Sequence, residues 1–347
     1  MAEVSGFLPS TSAALFSNGP WAASTRLRIP IPGLPDIGID TSRMGFCGGM
    51  SFIARDIFEA GRPQLRGTDS TAVPGPVVDV IQRRLRDSFG GPATVARWLR
   101  ATAEPDGQSG FGAGLFADTV AECAVITSMI DAGKLCPIGL VLTRSPAPWA
   151  VFDNHVELVY GYQRSGSLLR LQVYDSNHPG DDSIEISLDT GPDSPGTIDT
   201  NGTSGTLGVR GLLALGSYRW ADPAPLYLDD ARVQVTVPAA AESYIPGLTL
   251  RAEVSVTNTG STTWSAAEGY RLGSAGPRDN RAWGLQRVEL DRSVDPGEQY
   301  TFSFDATVPD PLSEEQAGFC WQMVREHVQW FGAVSAPLGL ALSGAGQ

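Results

Sequence analysis

The sequence predicts an α+β domain followed by an all-β sandwich, and three observations predict it. Up to about residue 133, apolar residues recur at helical spacing in four stretches. From Ile138 the period shortens to that of strands, in Val-, Ile-, Leu- and Tyr-rich runs bounded by Gly, Pro, Asn and Asp. Beyond Ala221-Asp222-Pro223-Ala224-Pro225 the helical spacing ceases and only strand-like runs follow. At 347 residues the chain is long for a single core, and its 42% hydrophobic content suffices for two.

Residues 1–44 are rich in Pro, Gly and Ser, with Ile29 to Pro35 extended; they are expected to wrap over the first domain and to do little chemistry. Met50, Ile53, Ile57 and Phe58 then mark a helix that puts Cys47 at or just before its N-terminus. Val77 to Phe89 and Thr94 to Ala103 form two more helices, broken by Gly90-Gly91-Pro92. The loop Gly107 to Gly114 lacks the following Lys-Ser/Thr of a phosphate cradle. A fourth helix runs from Asp118, as cap, to Gly133, as stop. The strands expected after it are Ile138 to Leu142, His155 to Tyr162, Leu168 to Asp175, Ser183 to Leu188 and Leu212 to Trp220, with 189–206 a long exposed loop. The first domain is thus 1–220, with its core at about 40–220, and 221–231 is a linker. A sandwich over 232–335 takes strands from Arg232 to Val237, Leu248 to Asn258, Arg287 to Leu290, Tyr300 to Val308 and Phe319 to Glu326, with turns at Asn258-Thr259-Gly260 and Asp295-Pro296-Gly297. Residues 336–347 read as a flexible tail.

The 25 Lys+Arg against 38 Asp+Glu leave a net charge of −13 without a basic block, which argues against nucleic acid and anionic membrane surfaces as partners. No apolar run reaches the roughly 18 residues of a bilayer span, and the N-terminus lacks the blocks of a secretory signal. The four cysteines, Cys47, Cys123, Cys136 and Cys320, leave an odd number if Cys47 is kept for chemistry, so a disulfide framework is not indicated. A cytoplasmic location is expected, with signal-independent export as the alternative. Asn201-Gly202-Thr203 fits a glycosylation sequon and is read as a turn.

Chemistry is expected at Gly45-Phe46-Cys47-Gly48-Gly49-Met50. A helix N-terminus stabilises a thiolate, and the glycines on its C-terminal side leave the backbone open to a substrate carbonyl. Taken alone, the stretch equally describes a turn bringing a small buried thiol to a helix start. A cysteine nucleophile needs a base and a group to orient it, and only His155, His178 and His327 exist. With Gln163 to Ser167 as a hairpin loop and Tyr162 facing Leu168, His155 falls opposite Asp175, within reach of its carboxylate. A bulge or a different loop length favours Asn177 as orienter instead. Asp175, His178, Asp181 and Asp182 describe a tight turn with solvated acids better than a cation site, and no cofactor or metal is expected. Glu157 shares the His155 face of its strand and receives no role; Cys123 and Cys136 read as core thiols.

Gly-Phe-Cys47-Gly-Gly-Met, Asn-His155-Val-Glu-Leu-Val-Tyr-Gly-Tyr and Val-Tyr-Asp175-Ser-Asn177-His-Pro-Gly resemble the Cys, His and Asp/Asn blocks of the papain-like cysteine peptidase superfamily, nearest its double-glycine-peptidase-like branch. The resemblance spans about residues 40–220. It implies an α+β papain-like domain with Cys47 as nucleophile, His155 as base, Asp175 as orienter and the Cys47 backbone N–H as one oxyanion donor. Members often carry a glutamine about six residues before the cysteine; here position 41 is Thr41, so the second donor is unidentified. Ser176 stands where the family's Asp-Pro-Asn block has proline.

Asn258-Thr-Gly-Ser-Thr-Thr-Trp264, Trp283-Gly-Leu, Val294-Asp-Pro-Gly-Glu298, Phe319-Cys-Trp321-Gln-Met-Val-Arg-Glu and Trp330-Phe-Gly332 resemble the four-tryptophan (FW) domain, an immunoglobulin-like module of selective-autophagy cargo receptors and bacterial multidomain proteins. That implies a protein- or peptide-binding sandwich; the tryptophans by themselves read as core plugs. Together the resemblances imply a papain-like cysteine hydrolase acting on a peptide or protein amide, with a C-terminal binding domain. The alternatives are an inactive protein built of two binding modules and a cysteine-dependent acyltransferase.

Overall fold

The computed structural model of the protein describes residues 1–22, 26–29, 37–40, 45–67, 69–107, 114–237, 243–310, 318–336, 338–339 and 341–342. The chain divides into two compact units, Met1–Leu226 and Tyr227–Gln347. Thr41 and most of the Gly107 to Gly114 loop lie outside the described residues.

The first unit combines helices with one antiparallel sheet. Its strands are β1 (Ala2–Glu3), β2 (Arg26–Ile29), β3 (Ile37–Asp40), β4 (Cys136–Val141), β5 (His155–Ser165), β6 (Leu168–Tyr174), β7 (Glu185–Asp189), β8 (Ile198–Thr200) and β9 (Gly211–Ala214). The sheet runs β8-β7-β6-β5-β4-β9, with β1 also paired to β5, while β2 and β3 form a separate hairpin. Its helices are α1 (Pro9–Ser12), α2 (Cys47–Glu59), α3 (Gly75–Ser88), α4 (Pro92–Ala103) and α5 (Leu115–Asp131). Cys123, Ile126 and Ile130 of α5 and Ala54 of α2 share a buried core with Cys136, Ile138 and Leu140 of β4. Trp98 of α4 packs with Val141, Val156 and Leu213 in another cluster. Gly139 makes that approach possible, since a Cβ there would stand 2.2 Å from the Trp98 ring.

Several expectations are corrected. α5 begins at Leu115, capped by Gly114 in a left-handed conformation (φ 90°), so Asp118 lies inside its first turn and pairs with Arg100. Tyr162 pairs with Leu171, not Leu168, because the hairpin closes tightly at Gly166 (φ 61°) and β5 extends to Ser165. Within the expected loop 189–206, β8 pairs with β7; its three residues are too short to leave a periodic signal. β9 ends at Ala214, and the stretch after it is tied down by side chains: Tyr218 donates to Asp56 Oδ1 at 2.7 Å. The expected linker 221–231 divides, since the Ala221 N–H donates to Asp56 and Leu226 is buried in the first unit, whereas Leu228 bonds Ser261 in the second.

The second unit is built of strands: β10 (Ala231–Val237), β11 (Ser243–Tyr244), β12 (Thr249–Asn258), β13 (Tyr270–Ser274), β14 (Arg287–Glu289), β15 (Gln299–Thr307), β16 (Gly318–Phe319), β17 (Trp321–Arg325), β18 (Gln329–Phe331), β19 (Leu338–Gly339) and β20 (Ala341–Leu342). Sheets β10-β12-β15 and β14-β13-β17-β18 enclose one core, to which Val254, Val256, Phe302, Leu272 and Met323 contribute by strand alternation. Trp264, Trp283 and Trp321 are buried in that core. Trp330 is only partly buried, its ring flanked by the Arg278 and Arg287 guanidiniums at 5.2 and 4.9 Å. His327 (φ 62°) occupies the turn between β17 and β18. The stretch expected as a tail contributes β19, paired with β16, and β20, paired with β11; backbone pairing of this kind needs no side-chain pattern. No helix among the described residues is long and apolar enough to cross a membrane.

Candidate functional site

α2 starts at Cys47. Its first N–H groups have no partner within the helix, and its positive end favours an anion at this position. Phe46, before it, stacks on Trp21 at 4.9 Å, which fixes the entry of the chain. The helix is tied to β5 beside His155, where Ser51 Oγ donates to the Val156 carbonyl at 3.2 Å. The two glycines after the thiol serve packing: a Cβ at Gly48 would lie 2.2 Å from Ser88 Oγ, and one at Gly49 2.1 Å from the Ile81 carbonyl oxygen. Their small size seats α2 against α3.

His155 opens β5 and is buried. Its Nε2 lies 2.8 Å from Asp175 Oδ1. The strand register does not bring this about. β5 and β6 pair from Leu158 with Tyr174, and a bulge between Val159 and Gly161 shifts the count, so the expected strand pairing of His155 with Asp175 is absent. Instead the chain turns after Tyr174, with the His178 N–H bonded to the Asp175 carbonyl at 3.0 Å, and the turn aims the carboxylate at the imidazole. Asn177, the alternative orienter, gives only its backbone N–H to Asp175 Oδ1 (2.9 Å); its side chain bonds Thr203.

The Asp175 carboxylate is saturated. Oδ1 accepts from His155 and the Asn177 N–H, and Oδ2 accepts from the Thr203 N–H (2.8 Å), Thr203 Oγ1 (2.6 Å) and His178 Nδ1 (2.8 Å). Burial pushes this acid up, but the hydrogen bond and charge of His155, with Thr203 and Asn177, prevail and hold it far below the usual carboxylate range. An ionised Asp175 only accepts, so the proton between the pair sits on His155 Nε2, and Nδ1 is the nitrogen left to exchange a proton with a thiol.

Burial raises the Cys47 thiol, but the charge and hydrogen bond of His155, followed by the backbone at Val156 and Gly48, outweigh it and leave the thiol below its ordinary value. For His155, burial acts downward, yet the Cys47 and Asp175 charges hold the imidazolium well above its ordinary value. The pair therefore favours thiolate and imidazolium. At two other thiols burial outweighs the opposing charges of Arg164 and Arg55, pushing Cys123 up to about 11 and Cys136 up to about 12. All four cysteines are free.

Cys47 and His155 line a cleft of about 280 Å³. Asn18 lines it as well, and the sequence reading gave it no role because nothing in a Pro- and Gly-rich segment distinguishes it. Its Oδ1 accepts the Phe46 N–H, its own N–H reaches the Ser176 carbonyl at 2.9 Å, and its Nδ2 lies 2.1 Å from where a Cβ on Gly45 would stand. The N-terminal segment thus links the thiol turn to the acid turn. Ser176, whose carbonyl accepts the Asn18 N–H, is fully buried in the turn that presents Asp175. Thr203 and His178 are further supports of Asp175; the sequence places His178 in the same tight turn as Asp175 and gives Thr203 no role. Thr203 lay in a stretch read as turn and loop.

His155, Glu157 and Asp175 place one potential ligand atom each within 4.8 Å of one another, a grouping that could hold a metal ion. The donor set does not fit one, because both Asp175 oxygens are already filled by five hydrogen bonds. Asp181 and Asp182 turn to Ser183 and Ser10. Comparison with known family models and with curated proteins finds no match to the chain.

Proposed function

We propose that the first unit is a papain-like cysteine hydrolase acting on peptides or related amides, with Cys47, His155 and Asp175 as its triad. The observation that carries the reading is the line from a saturated, ionised Asp175 through His155 Nε2 to a thiol depressed by the same imidazole. A buried thiol kept only for packing has no such partner, as Cys136 illustrates.

In this reading the Cys47 thiolate attacks the substrate carbonyl carbon and a C–S bond forms as the carbonyl oxygen becomes an oxyanion. The Cys47 backbone N–H at the tip of α2 and Asn18 Nδ2 donate to that oxygen. His155 Nδ1 gives its proton to the leaving nitrogen, and the C–N bond breaks to release an amine. Water, losing a proton to His155, then attacks the thioester; the C–S bond breaks, freeing a carboxylic acid and regenerating the thiolate–imidazolium pair. The second unit, in the same reading, is an immunoglobulin-like four-tryptophan module that binds a protein partner. Its buried Trp264, Trp283 and Trp321 build the core, so contact falls to other residues.

p-Nitrophenyl acetate tests the hydrolase reading, because it acylates any competent thiol without a specific leaving-group site. A burst of nitrophenol with one acetyl group on Cys47, absent in Cys47→Ala, is expected. An acyl group spread over several cysteines, or none at all, would overturn it.

A further inference from the structure

Glu157 lies two residues beyond His155 on β5, is fully buried, and neither of its carboxyl oxygens has a hydrogen-bond partner. A buried polar group left so is costly. On the β4 side it pairs with Ile138, which offers it nothing polar. On the other side, Leu158 pairs with Tyr174, so Glu157 and Asp175 are the next residues along the two strands, and one oxygen of each lies within 4.8 Å of the other and of the His155 ring. The groups that act on its charge are His155 on its own strand, Asp175 after β6 and Cys47 from α2.

We propose that Glu157 is a positioning residue for the thiol chemistry: the neutral member of a carboxyl pair with Asp175, whose proton sets how firmly His155 holds its own. Two carboxylates this close do not both ionise in a dry site. The asymmetry of their surroundings decides which one does. Asp175 collects five donors and Glu157 none, so the charge settles on Asp175 and the proton on Glu157. Burial above all, with Asp175 and Cys47 added and His155 opposed, drives the Glu157 acid well above its ordinary range.

While Glu157 keeps its proton, one negative charge holds the imidazolium, which remains able to release its proton to a leaving amine. Once Glu157 ionises, a second carboxylate faces the ring and the proton is locked there. A side chain present only to fill space would do neither, and leucine would fill the space without a stranded acid.

The inference rests on the proposed pairing of Cys47 with His155, and the test separates the two. The full chain labelled with ¹³C,¹⁵N-histidine has only three histidines to assign. The His155 ring is titrated by NMR in wild type, Glu157→Gln and Glu157→Leu, alongside thermal unfolding. The expected result is a His155 midpoint lower by about one pH unit or more in both variants, with melting temperature unchanged or raised. An unmoved or raised midpoint, or loss of folding in both variants, overturns the proposal. Failure of the underlying pairing shows differently, as a wild-type Cys47 that resists alkylation.

Discussion

His155 Nε2 lies 2.8 Å from Asp175 Oδ1, and the other donors on that carboxylate, from Asn177, Thr203 and His178, keep it ionised. The native acid is held below its unfolded value, so its contribution to stability is complete above about pH 4 and is lost as the pH falls further. Urea unfolding between pH 2 and pH 6, values spanning roughly the carboxylate range, checks this. Wild type loses stability on the acid side, and Asp175→Asn, less stable at pH 6, loses less of what remains.

Asn18 separates two kinds of thiol reaction. Asn18→Asp keeps an oxygen for the Phe46 N–H but removes the donor proposed for the oxyanion. Acylation by p-nitrophenyl acetate should fall about 10²-fold. Alkylation by iodoacetamide develops no oxyanion, so its rate should change far less. Equal losses in both reactions would mean that Asn18 acts on the thiol and not on the carbonyl.

Behind α2, Arg84 Nε meets Asp56 Oδ2 at 2.8 Å with both side chains almost fully buried, and Tyr218 and the Ala221 N–H complete the carboxylate's partners. Removing one half of such a pair strands the other. Arg84→Met should cost about 3–5 kcal/mol of unfolding free energy, measured by chemical denaturation, whereas Arg86→Met on the exposed face should cost about 0.5 kcal/mol or less.

The strands and helices that pack by periodicity were legible in the sequence, as α2 from Met50, Ile53 and Ile57 or β12 from its alternating Ala252, Val254 and Val256. Elements held by backbone pairing alone, β8 and β19 among them, carry no such signal. At the cleft, Cys47 and His155 stood out because few residue types suit that chemistry, and Asp175 because it closes a strand nearby. A regular hairpin register would set Asp175 opposite His155, whereas the folded chain delivers it by the turn after Tyr174. Asn18 and Thr203 reach the site across long stretches of sequence, and only the folded chain brings them to Phe46 and Asp175, whereas His178 stands three residues beyond Asp175 in the same turn.

The central claim, that His155 makes Cys47 a thiolate, is tested most directly by iodoacetamide alkylation at neutral pH, followed by peptide mass analysis of all four cysteines in wild type and His155→Ala. Burial pushes Cys123 up to about 11 and Cys136 up to about 12, and raises Cys320, so Cys47 alone should react rapidly in wild type. Its rate should fall about tenfold or more without His155, as a shift of one pH unit in the thiol requires. A Cys47 that stays unlabelled while the protein is folded, or one that reacts equally fast in both proteins, would contradict the account.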